Sequence, residues 1–218
     1  MRKDDRLNIV FEDKSVIVID KPEGLLTMAT ATERERTAYA MLRNYLNRKK
    51  PPEKLFIVHR LDREASGLLV FAKSIEAKER LQDQFKEHSA GRRYIALVEG
   101  RVKADDFTIR SYLTENAAYR VYSTRNSKVG KLAVTHVHVL KRGPKSTLVE
   151  VKLETGRKHQ IRVHLAENGH PIVGDKSYGS GTNPIRRLAL HGMHLDFRHP
   201  DTGKLMQFDS RVPRLFSL

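Results

Sequence analysis

Cysteine is absent from the 218 residues of this chain. Disulfides, thiolate zinc sites, iron–sulfur clusters and a cysteine nucleophile are therefore excluded. The sequence has no complete G-x-x-x-x-G-K-[ST], G-x-G-x-x-G, G-x-S-x-G or H-E-x-x-H string, which argues against nucleotide hydrolysis, dinucleotide binding and two common hydrolase types. No apolar run approaches the roughly 18 residues of a spanning helix, and the N-terminus lacks the apolar stretch of a signal peptide. We therefore expect a cytoplasmic protein.

Positive charge is in excess. There are 41 Lys and Arg against 26 Asp and Glu, a formal net charge of +15. This balance favours a polyanionic partner, with nucleic acid as the first candidate and an anionic membrane surface as the second. Residues 34–54 contain only two acids, and residues 120–131 contain none. Both runs are candidates for following a phosphate backbone, and both are also compatible with a solvated protein face.

The apolar pattern predicts a mixture of strands and helices. The predicted strands are 8–11, 16–20, 67–73, 93–99, 132–140, 147–153 and 188–197. The predicted helices are 36–48, 74–88 and 156–168, with Ser74 as an N-cap and Gly169 as a left-handed stop. This order has no regular βαβ alternation, and no long linker divides it. We therefore expect one domain of class α+β with a largely antiparallel sheet.

Asp62 lies between Arg60 and Arg63, just ahead of the apolar strand at 67–73. A neighbouring arginine favours the charged form of an aspartate. A carboxylate on a basic surface repels phosphate, but it is suited to act as a nucleophile or a base on a nucleic acid. An R-x-D-R string taken alone is more often a surface ion pair or a turn, so this string by itself favours that interpretation and leaves the catalytic one open.

Ten histidines raise the question of a metal site. The pairs His136/His138 and His191/His194 have suitable spacing, but no Asp or Glu completes a recognisable metal motif. Structural or RNA-facing histidines are the preferred interpretation, so we expect no metal and no cofactor.

Longer strings carry more information than any single residue. Residues 20–25 read DKPEGL, 58–73 read VHRLDREASGLLVFAK, 92–100 read RRYIALVEG, 155–165 read TGRKHQIRVHL, 169–175 read GHPIVGD, and 188–192 read LALHG. In this order, over about residues 8–209, they resemble the signatures of the RluA-like RNA pseudouridine synthases. Ala65 stands where Thr is more usual, Arg92 replaces a Lys, and Gly192 replaces an Ala.

The resemblance implies a pseudouridine synthase catalytic domain over residues 1–218, a mixed and largely antiparallel sheet flanked by helices, without the N-terminal RNA-binding domain of many relatives. It gives Asp62 the position of the catalytic nucleophile. Tyr94 takes the position of the active-site tyrosine, whose ring can stack on uracil and whose hydroxyl can accept the carbon-five proton. Arg162 takes the position of the arginine that pairs with the nucleophile. Core packing for Tyr94 and a phosphate contact for Arg162 are the alternatives.

The resemblance also implies residues that contact the substrate. Arg60 would take the place of the base that leaves the stack, since a stacked uridine must be flipped out to react. A phosphate contact is the alternative for Arg60. Leu190 would line the uracil pocket. His59, Arg157 and Gln160 lie in the same strings and are further candidates.

The implied activity is the isomerisation of uridine to pseudouridine in ribosomal RNA or tRNA, without redox change or group donor. The expected partner is a structured RNA stem-loop, and the expected state is a monomer. Two other functions remain open at this point. One is a non-catalytic RNA-binding or ribosome-assembly protein with the same fold, and the other is a metal-dependent nucleic-acid hydrolase, which would need clustered acids.

Overall fold

The computed structural model of the protein describes residues 7–217. The strands are β1 (Asn8–Glu12), β2 (Val16–Lys21), β3 (Phe56–Ile57), β4 (Ser66–Ala72), β5 (Gly91–Glu99), β6 (Asp106–Glu115), β7 (Val121–Thr124), β8 (Lys131–Arg142), β9 (Ser146–Leu153), β10 (Leu190–Arg198) and β11 (Leu205–Asp209). The helices are α1 (Ala38–Asn47), α2 (Ile75–Lys86) and α3 (Gln160–Glu167). Within residues 7–217, no helix is long and apolar enough to cross a membrane.

These elements form two compact units. Unit 1 contains the described residues up to Gly91 together with Gly192–Ser210, and unit 2 contains Arg92–His191 together with the described residues from Arg211 onwards. The chain passes from one unit to the other inside β5, again inside β10, and a third time between Ser210 and Arg211. Strands β5 and β10 therefore each contribute residues to both units.

Strand β4 lies at the centre of unit 1. It pairs antiparallel with β2 and β3, and all of its residues are buried. Strand β1 pairs with β2, and β11 pairs with β10, both antiparallel. Helix α2 begins after Ser74, whose hydroxyl accepts the Ala77 N–H at 3.0 Å, and it packs Ala77 and Leu81 against the β4 side chain Val70. The β1–β2 hairpin, the buried strand and the Ser74 N-cap are thus confirmed.

An ion-pair cluster lies at the C-terminal end of β4. The Lys73 ammonium contacts the Glu12 carboxylate and lies 2.7 Å from that of Glu53, and Lys49 pairs with the same two acids. Burial alone would raise the pKa of Glu12, but hydrogen bonds from Lys49, Lys73 and Tyr45 outweigh it and lower that pKa. Lys49, part of the basic run 34–54, is therefore held by carboxylates of the protein.

The strands of unit 2 follow the order β5-β9-β8-β6-β7, with antiparallel pairing throughout. Helix α3 packs on β7 and β8. The pairing in both units confirms the α+β class with a largely antiparallel sheet. Strands β3, β6, β7 and β11 are additions that the sequence analysis did not predict.

Helix α3 is shorter than the predicted 156–168. It begins at Gln160 because His159 has a left-handed backbone, with φ of 52°, and cannot continue a helix. The Gln160 side chain accepts the Arg157 N–H at 3.0 Å and the Thr155 hydroxyl at 2.8 Å, which fixes residues 155–157 as a loop. The predicted stop is confirmed, since Gly169 has φ of +82°.

Candidate active site

Asp62 lies in the loop between β3 and β4, and we call residues 58–65 the Asp62 loop. The preceding residue, Leu61, anchors this loop in unit 1. Its N–H donates to the Thr27 hydroxyl at 3.2 Å, and its carbonyl accepts from the same hydroxyl at 2.9 Å. The Asp62 carboxylate is half-buried, while Arg60 and Arg63 on either side are exposed. The loop thus presents a carboxylate between two cations from a fixed backbone.

Lys21 holds the Asp62 loop from inside the unit. Its side chain is fully buried, and its ammonium donates to four backbone carbonyls. Two belong to residues near the end of β2, Pro22 at 2.9 Å and Leu25 at 2.8 Å. The other two belong to the Asp62 loop, Arg63 at 3.3 Å and Ala65 at 2.6 Å. One ammonium therefore ties two loops together on the C-terminal side of Asp62.

His59 is a buried residue of the same loop. Its Nε2 accepts the Val70 N–H at 3.3 Å, and its ring lies 4.7 Å from the Phe85 ring. These contacts join the Asp62 loop to β4 and α2. They give His59 a packing role in unit 1 beside the substrate contact implied by the resemblance.

Tyr94 and Leu190 lie on strands of unit 2. Tyr94 is in β5, directly opposite Val151 of β9, and only 6% of it is exposed. Leu190 is the first residue of β10 and is also buried.

Arg162 lies on α3 and is held by a buried carboxylate. Its Nε donates to Asp175 Oδ2 at 2.7 Å, and its Nη2 donates to Asp175 Oδ1 at 2.8 Å. The guanidinium also lies 5.1 Å from the centre of the Tyr178 ring, and the Tyr178 hydroxyl lies 2.8 Å from His159 Nδ1. The two parallel hydrogen bonds fix the plane of the guanidinium.

Gln160 and Arg157, two residues predicted to contact the substrate, differ in solvent exposure. Gln160 is buried and uses both ends of its amide inside the protein, since its NH₂ donates to the Val134 carbonyl at 3.0 Å and to the Thr135 hydroxyl at 2.9 Å. Arg157 is exposed, and its Nε donates to the Leu132 carbonyl at 3.0 Å. Gln160 thus shapes the loop from which the Arg157 side chain projects.

His164, two residues after Arg162, is a further buried group of α3. Its Nδ1 lies 2.8 Å from the Thr135 hydroxyl and its Nε2 lies 3.0 Å from the Ser111 hydroxyl. Burial lowers the pKa of His164 to about 4, an effect that the nearby Glu167 only partly opposes. The imidazole is therefore neutral at physiological pH.

The predicted site residues divide between the units. Unit 1 contains Asp62, Arg60 and His59, and unit 2 contains Tyr94, Arg162, Leu190, Arg157 and Gln160. Sequence reasoning gave no role to Lys21, Asp175 or Tyr178. Each lies in or beside a family string. The contacts of Lys21 with the Asp62 loop, of Asp175 with Arg162 and of Tyr178 with His159 join residues at least 13 positions apart, so the strings could not reveal them. In the described part of the chain, no three His, Asp or Glu side chains cluster as a metal site.

Comparison with known proteins places these residues in a family. The sequence model described as RNA pseudouridylate synthase matches residues 15–167. A ribosomal large subunit pseudouridine synthase D from Nitrosomonas europaea is 38% identical over 95% of this chain, and the chain spans 62% of that relative's length. The uncharacterized RNA pseudouridine synthase YhcT of Bacillus subtilis is 36% identical over 95% of the chain and 69% of its own length.

Solved structures agree with the sequence relatives. The human RNA pseudouridylate synthase domain containing 1 has a TM-score of 0.76 and 26% identity, covering 95% of this chain and 84% of its own. The match at residues 15–167 includes the Asp62 loop, Tyr94 and Arg162. With most of its length aligned to these relatives, this chain belongs to the RNA pseudouridylate synthase family.

Proposed function

We propose that this protein is an RNA pseudouridine synthase that isomerises uridine in ribosomal RNA or tRNA. The family match carries the proposal, because residues 15–167 include the strings in which Asp62, Tyr94 and Arg162 lie. The name of the Nitrosomonas relative favours RNA of the large ribosomal subunit as the substrate. The reaction takes place in the cytoplasm, and the enzyme acts as a monomer.

The reaction needs no external group. The bond between uracil N1 and ribose C1′ breaks, the base turns, and a bond forms between C5 and C1′. The proton on C5 leaves, and N1 gains a proton, so product and substrate are isomers. The Asp62 carboxylate starts this sequence either by attacking C1′ or by removing a ribose proton. Its half-buried position on an anchored loop fits both steps, since the group must meet a flipped-out nucleotide in a fixed orientation.

The other residues act on the base and on Asp62. Tyr94 stacks on the uracil and takes the C5 proton with its hydroxyl. Arg162 pairs with the Asp62 carboxylate, and its two hydrogen bonds to Asp175 support a single orientation of the guanidinium for that task. Leu190 lines the uracil pocket, and the exposed Arg60 fills the space that the flipped base leaves in the RNA.

Both units belong to one catalytic domain in this proposal. The family match begins in unit 1 and continues without interruption into unit 2. The proposed catalytic groups are likewise divided, with Asp62 in unit 1 and Tyr94 and Arg162 in unit 2.

Replacing Asp62 by Asn tests the function. Asn keeps the shape of the side chain and removes the charge, so pseudouridine formation should be abolished while RNA affinity stays within about twofold. Pseudouridine is measured by chemical mapping of ribosomal RNA and tRNA incubated with each protein. Asp83→Asn, the same change at an exposed position of α2, is the matched control and should keep full activity.

Turnover of Asp62→Asn within about tenfold of the parent, roughly 1.4 kcal/mol of barrier, would exclude Asp62 as the nucleophile. No pseudouridine from the parent protein, together with tight RNA binding, would identify a non-catalytic RNA-binding protein instead.

A further inference from the structure

The sheet of unit 2 has two faces, and one of them carries Tyr94. Directly opposite residues of antiparallel strands point to the same side. Tyr94 faces Val151 of β9, and Val151 faces Val137 of β8. Thr135, two residues before Val137, lies on this same side and contacts His164 of α3. Tyr94 and the helix that carries Arg162 therefore share one face of the sheet.

The opposite face contains a groove. Arg110 of β6 pairs with Val134, and Tyr112 pairs with Leu132 on one side and with Thr124 on the other. Val134 and Leu132 are odd steps away from Val137 on β8, so their side chains point away from the Tyr94 face. A groove of about 530 Å³ runs here along β6, β7 and β8. It is lined by Arg110, Ser111, Tyr112, Ser123, Thr124, Arg125 and Leu132. Of these, the Ser111 and Ser123 side chains point to the Tyr94 face, where Ser111 contacts His164.

The groove has cations and no carboxylate among its lining residues. Arg110 and Arg125 are exposed, and neither forms an ion pair with any residue in the range 7–217. Other cations of unit 2 are paired, for example Lys158 with Glu115 and Arg142 with Asp105. The run that contains Arg125, residues 120–131, has no acid at all. Two guanidinium groups thus remain open to an anion.

We propose that this groove binds a second stretch of the RNA, away from the uridine that reacts. The inference rests on the proposed function for the identity of the partner. Arg110 and Arg125 contact phosphates, for which the guanidinium fork is well suited. The half-buried Tyr112 between them offers its ring to an unpaired base. Because the groove and Tyr94 lie on opposite faces of one sheet, the RNA must extend past β7, the edge strand, to use both.

The test compares two double variants that remove the same charge. Arg110→Gln/Arg125→Gln alters the groove. Lys141→Gln/Lys145→Gln alters exposed lysines at the β8–β9 end of unit 2. The probe is a full-length transcript of large-subunit ribosomal RNA, and Kd is measured against salt concentration. Each lost phosphate contact lowers the slope of log K against log salt by about 0.7–0.9, so the groove variant should lose about 1.4–1.8.

We expect the groove variant to bind more weakly with this shallower slope, while kcat at saturating RNA and the melting temperature stay at the parent values. The lysine variant should bind within about twofold of the parent. Equal weakening of RNA binding in both variants would show that affinity depends on net charge alone, and would overturn the proposal. Unchanged binding in the groove variant would also overturn it.

The proposed function is judged separately from the groove. If the parent forms no pseudouridine but the slope still falls, the groove binds RNA and the enzymatic proposal fails. If the parent forms pseudouridine and the slope does not change, the groove proposal alone fails.

Discussion

Lys21 carries a charge in the interior of unit 1. An ammonium loses its hydration there, and hydrogen bonds must replace the lost water. The carbonyls of Pro22, Leu25, Arg63 and Ala65 supply them. Since two of these carbonyls belong to the Asp62 loop, Lys21 is a positioning residue for the proposed nucleophile.

Lys21→Met should lower kcat about tenfold to a hundredfold and leave KM for RNA within about twofold, because a displaced carboxylate affects the reaction more than binding. The matched control is Lys73→Met, a second buried lysine of unit 1 that pairs with Glu12 and Glu53 instead. Both variants should melt at lower temperature. If kcat falls equally in both, Lys21 has only a structural role; restored kcat in Lys21→Arg would support positioning.

Residue identity at the site could be predicted, but contacts could not. The family strings locate Asp62, Tyr94 and Arg162, and these roles remain predictions. The bidentate pair of Arg162 with Asp175 joins residues that are 13 positions apart, and Thr27 anchors Leu61 from 34 positions away. Such pairings depend on tertiary structure, which residue spacing does not encode.

Elements with strong local signals were predicted well. The N-cap at Ser74 defines α2, and the continuous apolar run defines β4. Strand β6 was not predicted, because its alternation of apolar and polar residues is interrupted. Phe107, Ile109 and Leu113 have the period of a strand, but polar Ser111 stands between them. The Ser111 hydroxyl contacts His164, so the break in the pattern has a tertiary cause.

The packing of α3 predicts a pH-dependent stability. The pKa of His164 lies near 4 in the folded protein and at 6.5 without burial. The unfolded chain thus binds a proton between these values when the folded protein does not. Stability is full above pH 6.5 and falls as the pH drops toward 4, by up to about 3 kcal/mol for 2.5 units at about 1.4 kcal/mol each.

Urea unfolding of the parent and of His164→Gln between pH 7 and 4 measures this effect. The free energy of unfolding of the parent should decline more steeply than that of the variant. Carboxylates with lowered pKa, such as Glu12 and Glu99, contribute equally to both proteins and cancel in the difference. If the two curves of unfolding free energy against pH run parallel, protonation of His164 does not destabilise the folded protein and the prediction is wrong.

On the scale of the whole molecule, the sequence predicts one domain, whereas the structure divides into two compact units. The prediction rested on the lack of a linker, and two of the three crossings between the units lie inside β5 and β10, while the third falls between Ser210 and Arg211. Shared strands are expected to couple the unfolding of the units, so the single domain remains our prediction.

Calorimetry of the 218-residue chain should therefore give one transition, with equal calorimetric and van't Hoff enthalpies. Leu69→Ala in unit 1 and Val151→Ala in unit 2 both shorten fully buried side chains. Each should lower the single melting temperature, by about 2–4 °C for every kcal/mol lost. Two transitions, each shifted only by the variant in its own unit, would establish two independent domains.

The burial of Lys21 has a consequence for chemical labelling. Amine-reactive reagents modify exposed lysines such as Lys128 and Lys145 at once, but they cannot reach a fully buried ammonium. Lys21 reacts only when the four carbonyl contacts open and the Asp62 loop leaves its place. The acylation rate of this one amine, followed by mass spectrometry, therefore reports how often the loop opens, without an engineered probe residue.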